Sequence, residues 1–528
     1  MNTVSPELLH DWLGQPAELA VLDVREAGEF GLGHLLFAVP VPYSRFEFDL
    51  DQLVPRRATL LVLCDDGRSR VAERAARRAN ALGFERVYVL EGGTEGWELA
   101  GYRLFAGVNV PSKVFGELVE EVHHTPRISA PDLHAMLARG ERVVVADGRP
   151  FPEYRKMNIP GSLCCPNGEL ALRISAIVES EVIPIVVNCA GRTRSIIGAQ
   201  TLLETGIRNP VFALENGTQG WTLAGFELER GSTRRYPSAP PQTDLTERAR
   251  VSAELAARQG VRSLDPEEAR QWLADPARTT YLLDIRTPEE FETEAVPGTR
   301  NAPGGQLIQA TDQWLAVRGA RVLLVDHDGI RAPIAARWLQ RMGWDAHTVR
   351  VPVGTVIADR AGGSDVASTL LLPVPVTHDV LDEWRQRGEC LVVDVRPSME
   401  FRRGHIPGST WSIRPRIAGD VPAGAKRIVL VSDDLPVLRM AAHELADRKD
   451  LALCYLDGGY RRWVAEGRPT EASSEASPAV PTDRDAIDYL FFVHDRHDGN
   501  LEAARQYLAW EQGLVTLLEP EERARFKP

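Results

Sequence analysis

The sequence predicts an α/β protein of four tandem modules, each a mostly parallel sheet with helices on both faces, ending in a small helical tail. Three observations predict it. An Asp-x-Arg signature recurs four times at domain spacing. Apolar strand patterns alternate with helical patterns inside each recurrence, which implies a parallel sheet covered on both sides. The chain has 528 residues, too many for one ordinary core. Its 44% hydrophobic and 26% charged fractions are those of soluble globular protein.

The signatures are Val21-Leu-Asp-Val-Arg25, Val145-Ala-Asp-Gly-Arg149, Leu283-Asp-Ile-Arg286 and Val393-Asp-Val-Arg396. Their aspartates, at 23, 147, 284 and 394, lie 124, 137 and 110 residues apart, too far for a solenoid repeat. Each arginine is followed by an acidic and aromatic pair: Glu29-Phe30, Glu153-Tyr154, Glu290-Phe291 and Glu400-Phe401. A turn comes next, at Gly33-His34, Ile159-Pro-Gly161, Val296-Pro-Gly298 and His405-Ile-Pro-Gly408. Further apolar strands are expected at Thr59–Leu63, Pro184–Asn188, Arg321–Val325 and Arg427–Val431. Apolar residues at three- and four-residue intervals then predict helices such as Ser195–Glu204 and Ala332–Arg341. A last strand leads into Glu91-Gly-Gly-Thr-Glu-Gly-Trp97, Glu215-Asn-Gly-Thr-Gln-Gly-Trp221 or Asp457-Gly-Gly-Tyr-Arg-Arg-Trp463. The third module carries Val351-Pro-Val-Gly354 instead, so its edge is expected to be remodelled. Function belongs at the carboxyl ends of such strands.

The chemistry concentrates in Ile185–Gln200, read as a buried strand, a short loop and a helix start. The loop opens at Cys189 and ends at Arg194, with Ser195 at a natural N-cap position, so the amides of Ala190, Gly191, Arg192, Thr193, Arg194 and Ser195 should converge on the sulfur. Arg192 and Arg194 add positive charge, and no carboxylate lies between Asn188 and Ser195, conditions that favour a thiolate. This is an anion cradle holding a nucleophile.

Composition excludes other classes. A formal charge of −13 argues against nucleic acid as a main partner. No apolar run reaches spanning length, and the N-terminus shows neither a secretory leader nor a lipidation site, so the expectation is a cytoplasmic protein without a membrane partner. Six cysteines are too few and too irregular for a disulfide framework, and no Cys-x-x-Cys spacing suggests zinc. No cofactor and no metal are expected.

With these motifs in place, each module resembles a rhodanese homology domain, and the whole resembles bacterial proteins of four tandem rhodanese domains. The Asp-x-Arg strand, the Gly-His-Ile-Pro-Gly type turn, the Cys-x-x-x-x-Arg loop and the Gly-Gly-x-x-x-Trp turn carry the resemblance, from Val4 to about Pro469. It implies four five-stranded domains and a sulfurtransferase whose loop cysteine carries a persulfide taken from thiosulfate or a similar sulfane donor. The partition is 1–108 for the first module, 124–235 for the catalytic second, 236–260 for a linker and helix, 261–362 for the third, 373–470 for the fourth, 471–482 for a second linker, and 483–528 for the tail. Ser232–Thr246, with Pro237, Pro240 and Pro241, reads as a hinge between a first and a second pair of modules. Glu247–Gln259 reads as a connecting helix, and the tail as helical over Leu501–Gly513 and Glu519–Phe526.

Physically, a thiolate attacking an anionic donor needs fixed dipoles and guanidinium groups to offset the repulsion. Cys189 is the carrier and Arg194 closes the loop. Arg192 or Arg149 binds the sulfonate end of thiosulfate through forked hydrogen bonds, and Arg173 is a further pocket residue. For Arg149 a structural pair with Glu153 or a loop carbonyl stands as an equal alternative. The acceptor is a thiol, cyanide or sulfite, or a protein that takes up the sulfur. Oligomeric state is not legible.

The sister modules depart from this pattern. Asp326 lies 17 residues before Gly343, as Cys189 lies 17 before Gly206, so Asp326 replaces the cysteine in the third module. The fourth offers Ser432, Asp433 and Asp434. Both should be inactive. In the first, Cys64 and Arg70 frame a longer loop in which a second, phosphatase or arsenate-reductase-like site is a minor reading. Asp65 and Asp66 oppose it, and counting 17 back from Gly83 puts Asp66 at the loop position with Cys64 in the strand. Cys164 and Cys165 are read as core, with a resolving thiol as the sharper alternative, and Cys390 and Cys454 as core. In the tail, His494, Asp495, His497 and Asp498 are read as a solvated or core-contacting face rather than metal ligands. Two classes stay open: an enzyme turning over through Cys189, and a non-enzymatic relay or partner-binding scaffold built on inactive modules.

Overall fold

A computed structural model describes residues 1–238, 245–351, 354–358, 370, 372–472 and 486–528. It contains four five-stranded sheets, one per module. In each, the strands stand in the same order, first, fifth, fourth, second, third, so the fourth strand lies at the centre of the sheet. Pairing is parallel throughout the second sheet, for example, where Ile185–Asn188 runs between Val144–Asp147 and Val211–Leu214. These strands are buried on both faces and rich in β-branched residues, as parallel strands between helical layers must be.

The Asp-x-Arg signature is a structural clasp. In all four modules the aspartate ends the second strand and its carboxylate takes a forked pair of hydrogen bonds from the arginine two residues on. Each arginine also donates to a carbonyl eight residues beyond it, at Gly33, Met157, Glu294 and Gly404, which ties the strand end to the following turn. The closing tryptophans of the first, second and fourth modules donate to the carbonyls of Arg103, Glu227 and Pro469 and fill the core. The third module has no such tryptophan, yet its last strand, Asp345–Arg350, completes the sheet. Of the stretch expected to be remodelled, Pro352 and Val353 lie outside the described residues.

The chain divides into two compact units. One holds Met1–Trp12, Ala20–Val108 and Gly363–Phe492, the first and fourth modules; the other holds Leu13–Leu19, Asn109–Gly362 and Val493–Pro528, the second and third modules and most of the tail. This corrects the expected pairing, because the proline-rich stretch near 240 joins modules of one unit rather than separating two pairs. Pro240 and Pro241 themselves, like residues 473–482 of the second linker, lie outside the described residues. In the first unit the buried Arg414 pairs with Glu47 and donates to the carbonyl of Tyr43. In the second, Trp338 donates to the Thr201 hydroxyl at 2.9 Å, and Arg331 reaches Glu169 at 2.8 Å. The connecting helix spans Leu245–Arg258 and the tail helix Leu501–Gly513. No helix among the described residues is long and apolar enough to cross a membrane.

Candidate functional site

The second module's fourth strand ends at Asn188, opposite Asp147 and bonded to it through its side-chain amide. Cys189 follows as the first loop residue and is 2% exposed. The helix Thr193–Glu204 starts four residues later, which draws the chain tightly around the sulfur. The Ser195 hydroxyl donates to Cys189 Sγ at 2.9 Å. The loop is propped from outside by the turn after the last strand: Thr218 N–H donates to the Cys189 carbonyl at 2.8 Å, and the Gln219 side-chain amide to that of Ala190 at 2.9 Å. Gly217 permits the approach, since a Cβ there would lie 2.3 Å from the Cys189 carbonyl oxygen.

The arginines behave differently from expectation. Arg194 stays beside the sulfur, forked onto Glu153 with both bonds at 2.9 Å. Burial works to lower its pKa, but Glu153, the Cys189 sulfur and Asp147 outweigh that and hold it above the usual guanidinium value. Burial likewise works to raise Glu153, and Arg194 wins, leaving the carboxylate below its usual range. Arg192 turns away from the loop, onto Glu117, Glu120 and the Asn216 side chain. Arg149 is held by Asp147 and the Met157 carbonyl, so the loop-carbonyl alternative describes it, while Glu153 belongs to Arg194. Arg173 binds Glu169 and the Ser238 carbonyl and lies 3.5 Å from Glu290, engaged with neighbours other than the loop. Arg149, Arg173 and Arg192, expected as substrate contacts, each have carboxylate partners at close range in the structure.

The register settles what occupies the same position elsewhere. Asp284 pairs with Val325 and Asp394 with Val431 as Asp147 pairs with Asn188, which makes Asp326 and Ser432 the counterparts of Cys189. In the first module Val24 N–H bonds the Cys64 carbonyl as Gly148 N–H bonds that of Asn188, and Thr94 N–H bonds the Asp65 carbonyl as Thr218 N–H bonds that of Cys189. Cys64 is thus the last strand residue, and Asp65, not Asp66, holds the loop position. Counting back from Gly83 misplaces it by one because this loop carries an extra residue. Asp65 accepts from Gly67 and Ala72 N–H, and Asp326 from Gly329 and Ala332 N–H, so each aspartate fills its own cradle with its own carboxyl group. Burial, then Asp23, push the Cys64 thiol far up, and Arg70 is an exposed partner of Glu73. This geometry speaks against the minor second-site reading at Cys64 and Arg70. Burial also pushes Cys164 up to about 12 and raises Cys165, Cys390 and Cys454. Cys164 points its thiol at the Arg149 carbonyl, not at Cys189.

Several residues at the site escape sequence reasoning. Lys113 and Glu117 come from the helix Val110–His123 before the module. The tail contributes Glu511, fully buried, whose Oε1 accepts from the Thr193 hydroxyl at 2.7 Å, the Thr193 amide at 3.4 Å and Lys113 Nζ at 3.1 Å. Burial works to raise Glu511, but Lys113 and Thr193 hold it below the usual carboxylate range. His497 is pushed down to about 3 by burial and by the charges of Arg496, Arg149 and Lys156. Only Glu153 left a signal: the repeated acidic and aromatic pair also supplies Glu290, which pairs with Arg331, the residue five after Asp326 as Arg194 is five after Cys189. Among the described residues no group of three or more His, Cys, Asp or Glu side chains could hold a metal ion.

Fold and site together define a protein of tandem α/β modules in which one loop, between a central strand and a helix, presents a cysteine. A protein-family model described as Rhodanese-like domain matches residues 5–100, 129–224, 265–354 and 377–466, and the chain belongs to that family. The chain is 40% identical to a thiosulfate sulfurtransferase from Pseudomonas aeruginosa of known crystal structure, with a TM-score of 0.91, covering 100% of this chain and 99% of that one. It is also 25% identical over 208 residues to the HTH-type transcriptional regulator Rv0324 of Mycobacterium tuberculosis, covering 37% of this chain and 85% of the relative.

Proposed function

We propose that the protein is a sulfurtransferase that moves sulfane sulfur from thiosulfate or a related donor to a thiol, cyanide or sulfite through a persulfide on Cys189. The observation that carries this reading is the Ser195 hydroxyl donating to the Cys189 sulfur at the entrance of a helix, because a hydrogen bond from a neutral donor and a helix N-terminus both favour an anionic sulfur. The thiolate attacks the outer sulfur of the donor. The donor's S–S bond breaks, sulfite leaves with the electron pair, and Cys189 keeps the outer sulfur as a persulfide anion. An acceptor thiolate, cyanide or sulfite then attacks that outer atom and the Cys189 thiolate returns. Arg194, with its charge beside the sulfur in both states, offsets the negative charge that moves through the step. The likeness to a thiosulfate sulfurtransferase over the whole chain supports the same chemistry.

A relay reading, in which Cys189 only accepts sulfur from a partner's persulfide, draws on the small exposure of the cysteine and on the aspartates that fill the first and third loops. One experiment tests the main reading against it. Intact mass after thiosulfate treatment should show one added sulfur atom mapping to the Cys189 peptide, with thiosulfate:cyanide turnover lost in Cys189→Ser. No added sulfur and no turnover, together with labelling by a persulfidated protein, would leave relay standing.

A further inference from the structure

Every cation that reaches the second module's loop from within that module or from the helix before it already has a carboxylate: Arg149 has Asp147, Arg192 has Glu117 and Glu120, Arg194 has Glu153, and Lys113 has Glu511. The Thr193 amide, the one an incoming anion would meet at the helix start, is engaged by Glu511 Oε1. Next to it the loop presents acceptors. Glu511 Oε2 and Gln219 Oε1 are buried without a hydrogen-bond partner among the described residues, on side chains exposed by 0% and 2%. Both side chains converge on Gly191, two residues from Cys189: a Cβ there would lie 2.9 Å from Glu511 Oε2 and 3.4 Å from Gln219 Nε2. Unpartnered buried acceptors, one of them on an ionised carboxylate, favour N–H donors carrying positive charge over a sulfonate. One cation close by has no carboxylate partner among the described residues. The Arg496 guanidinium lies 4.3 Å from the centre of the Tyr507 ring, with its Nε unpartnered, and Tyr507 itself would be 3.2 Å from a Cβ on Gly191.

Resting on the reading of Cys189 as a sulfur carrier, we propose that the tail completes the donor site: Glu511 and Gln219 bind an α-ammonium group and Arg496 the matching carboxylate. The donor class this selects is the persulfide of an α-amino-acid thiol. That zwitterionic group occurs both on cysteine persulfide and at the γ-glutamyl end of glutathione persulfide. The chemistry is that of the preceding step with a thiolate in place of sulfite: the donor's S–S bond breaks, the amino-acid thiolate leaves with the electron pair, and the outer sulfur stays on Cys189.

The test is the single-turnover rate of sulfur loading on Cys189 of the full chain, followed by intact mass. The donors are cysteine persulfide, glutathione persulfide, thiosulfate and the persulfide of 3-mercaptopropionate, which lacks the ammonium group. An ammonium bound by a buried carboxylate should make cysteine persulfide load about tenfold or more faster than the 3-mercaptopropionate analogue. Glu511→Gln should collapse that ratio to about one, whatever it does to the absolute rates, since the glutamine keeps an acceptor for Thr193 but no charge for the ammonium group. Arg496→Gln should slow all three carboxylated donors more than it slows thiosulfate. If Glu511→Gln fails to fold, Gln219→Glu serves instead and should widen the ratio. Glutathione persulfide as the faster of the two amino-acid donors would assign the γ-glutamyl source, and cysteine persulfide as the faster the free amino acid. Equal loading by cysteine persulfide and its deaminated analogue in the unaltered protein, or a ratio that Glu511→Gln leaves intact, overturns the donor assignment alone. Loading by no donor overturns the carrier reading beneath it.

Discussion

At the residue scale, the recurrent device in this chain is a buried carboxylate whose partners decide its charge. Glu153 and Glu511 face cations and stay ionised. Glu26 in the first module does not: burial raises it to about 7, against hydrogen bonds from the Ser44 amide and hydroxyl, and Asp488 and Glu29 push it further. The folded protein therefore keeps a proton on Glu26 up to about pH 7, while the unfolded chain releases it near the model-peptide value of 4.5. Between those values the folded state binds more protons, so the free energy of unfolding falls as pH rises from about 4.5 to about 7, by about 3 kcal/mol at most from this group. Glu26→Gln can keep the Ser44 N–H bond on its oxygen and donate from its amide nitrogen to the Ser44 hydroxyl, and it should flatten that segment of a stability–pH curve measured by urea unfolding. A slope unchanged by the substitution would place the proton elsewhere. The same contrast explains which residues the sequence reveals. Cys189 and Ser195 are legible because six residues of local chain bring them together. Arg192 is not, because Glu117 and Glu120 lie 75 and 72 positions away, and nothing near Arg192 signals that its charge is spent. Glu511, 318 positions from Thr193, leaves no trace at the loop at all.

At the scale of elements, the turn after the fifth strand acts as a prop for the loop after the fourth. In the first, second and fourth modules a glycine with φ near +60° sits against the carbonyl of the residue at the cysteine position: Gly93 on Asp65, Gly217 on Cys189 and Gly459 on Ser432. The motif is readable in the sequence as Gly-x-x-x-Trp, but its purpose is not, since a turn glycine and a loop-supporting glycine look alike. Gly217→Ala forces a left-handed conformation on alanine and a clash with the Cys189 carbonyl. It should cost about 1–3 kcal/mol in stability and slow sulfur loading of Cys189 by about tenfold or more as the loop shifts. Gly93→Ala is the control: the same strain in a module whose loop holds Asp65 should lower the melting temperature and leave loading at Cys189 unchanged. Equal loading losses in both variants would show that general destabilisation, not the prop, sets the rate.

At the scale of the whole molecule, strand and helix patterns fix four similar modules but carry no information on which of them share a core. The interface does that through side chains that look ordinary in sequence. Trp338 stands on a third-module helix, yet it is buried, donates to Thr201 of the second module's helix Thr193–Glu204, and meets the Phe115 ring edge-on at 5.8 Å. Arg341 adds an ion pair to Glu204 at 3.3 Å on the same helix. The third module thus acts as a buttress for the helix whose first turn borders Cys189. Removing the indole leaves a large cavity and takes one donor from the Thr201 hydroxyl, which keeps its bond to the Ile197 carbonyl, and Trp338→Ala should cost about 3–5 kcal/mol. Because the cavity opens between two modules of one compact unit, the loss should appear in both. Hydrogen exchange should quicken along Thr193–Glu204 as well as along Arg331–Arg341, and sulfur loading of Cys189 should fail at a lower temperature than in the unaltered protein. If exchange quickens in the third module alone while Thr193–Glu204 keeps its protection, the two modules fold independently and the buttress role is wrong.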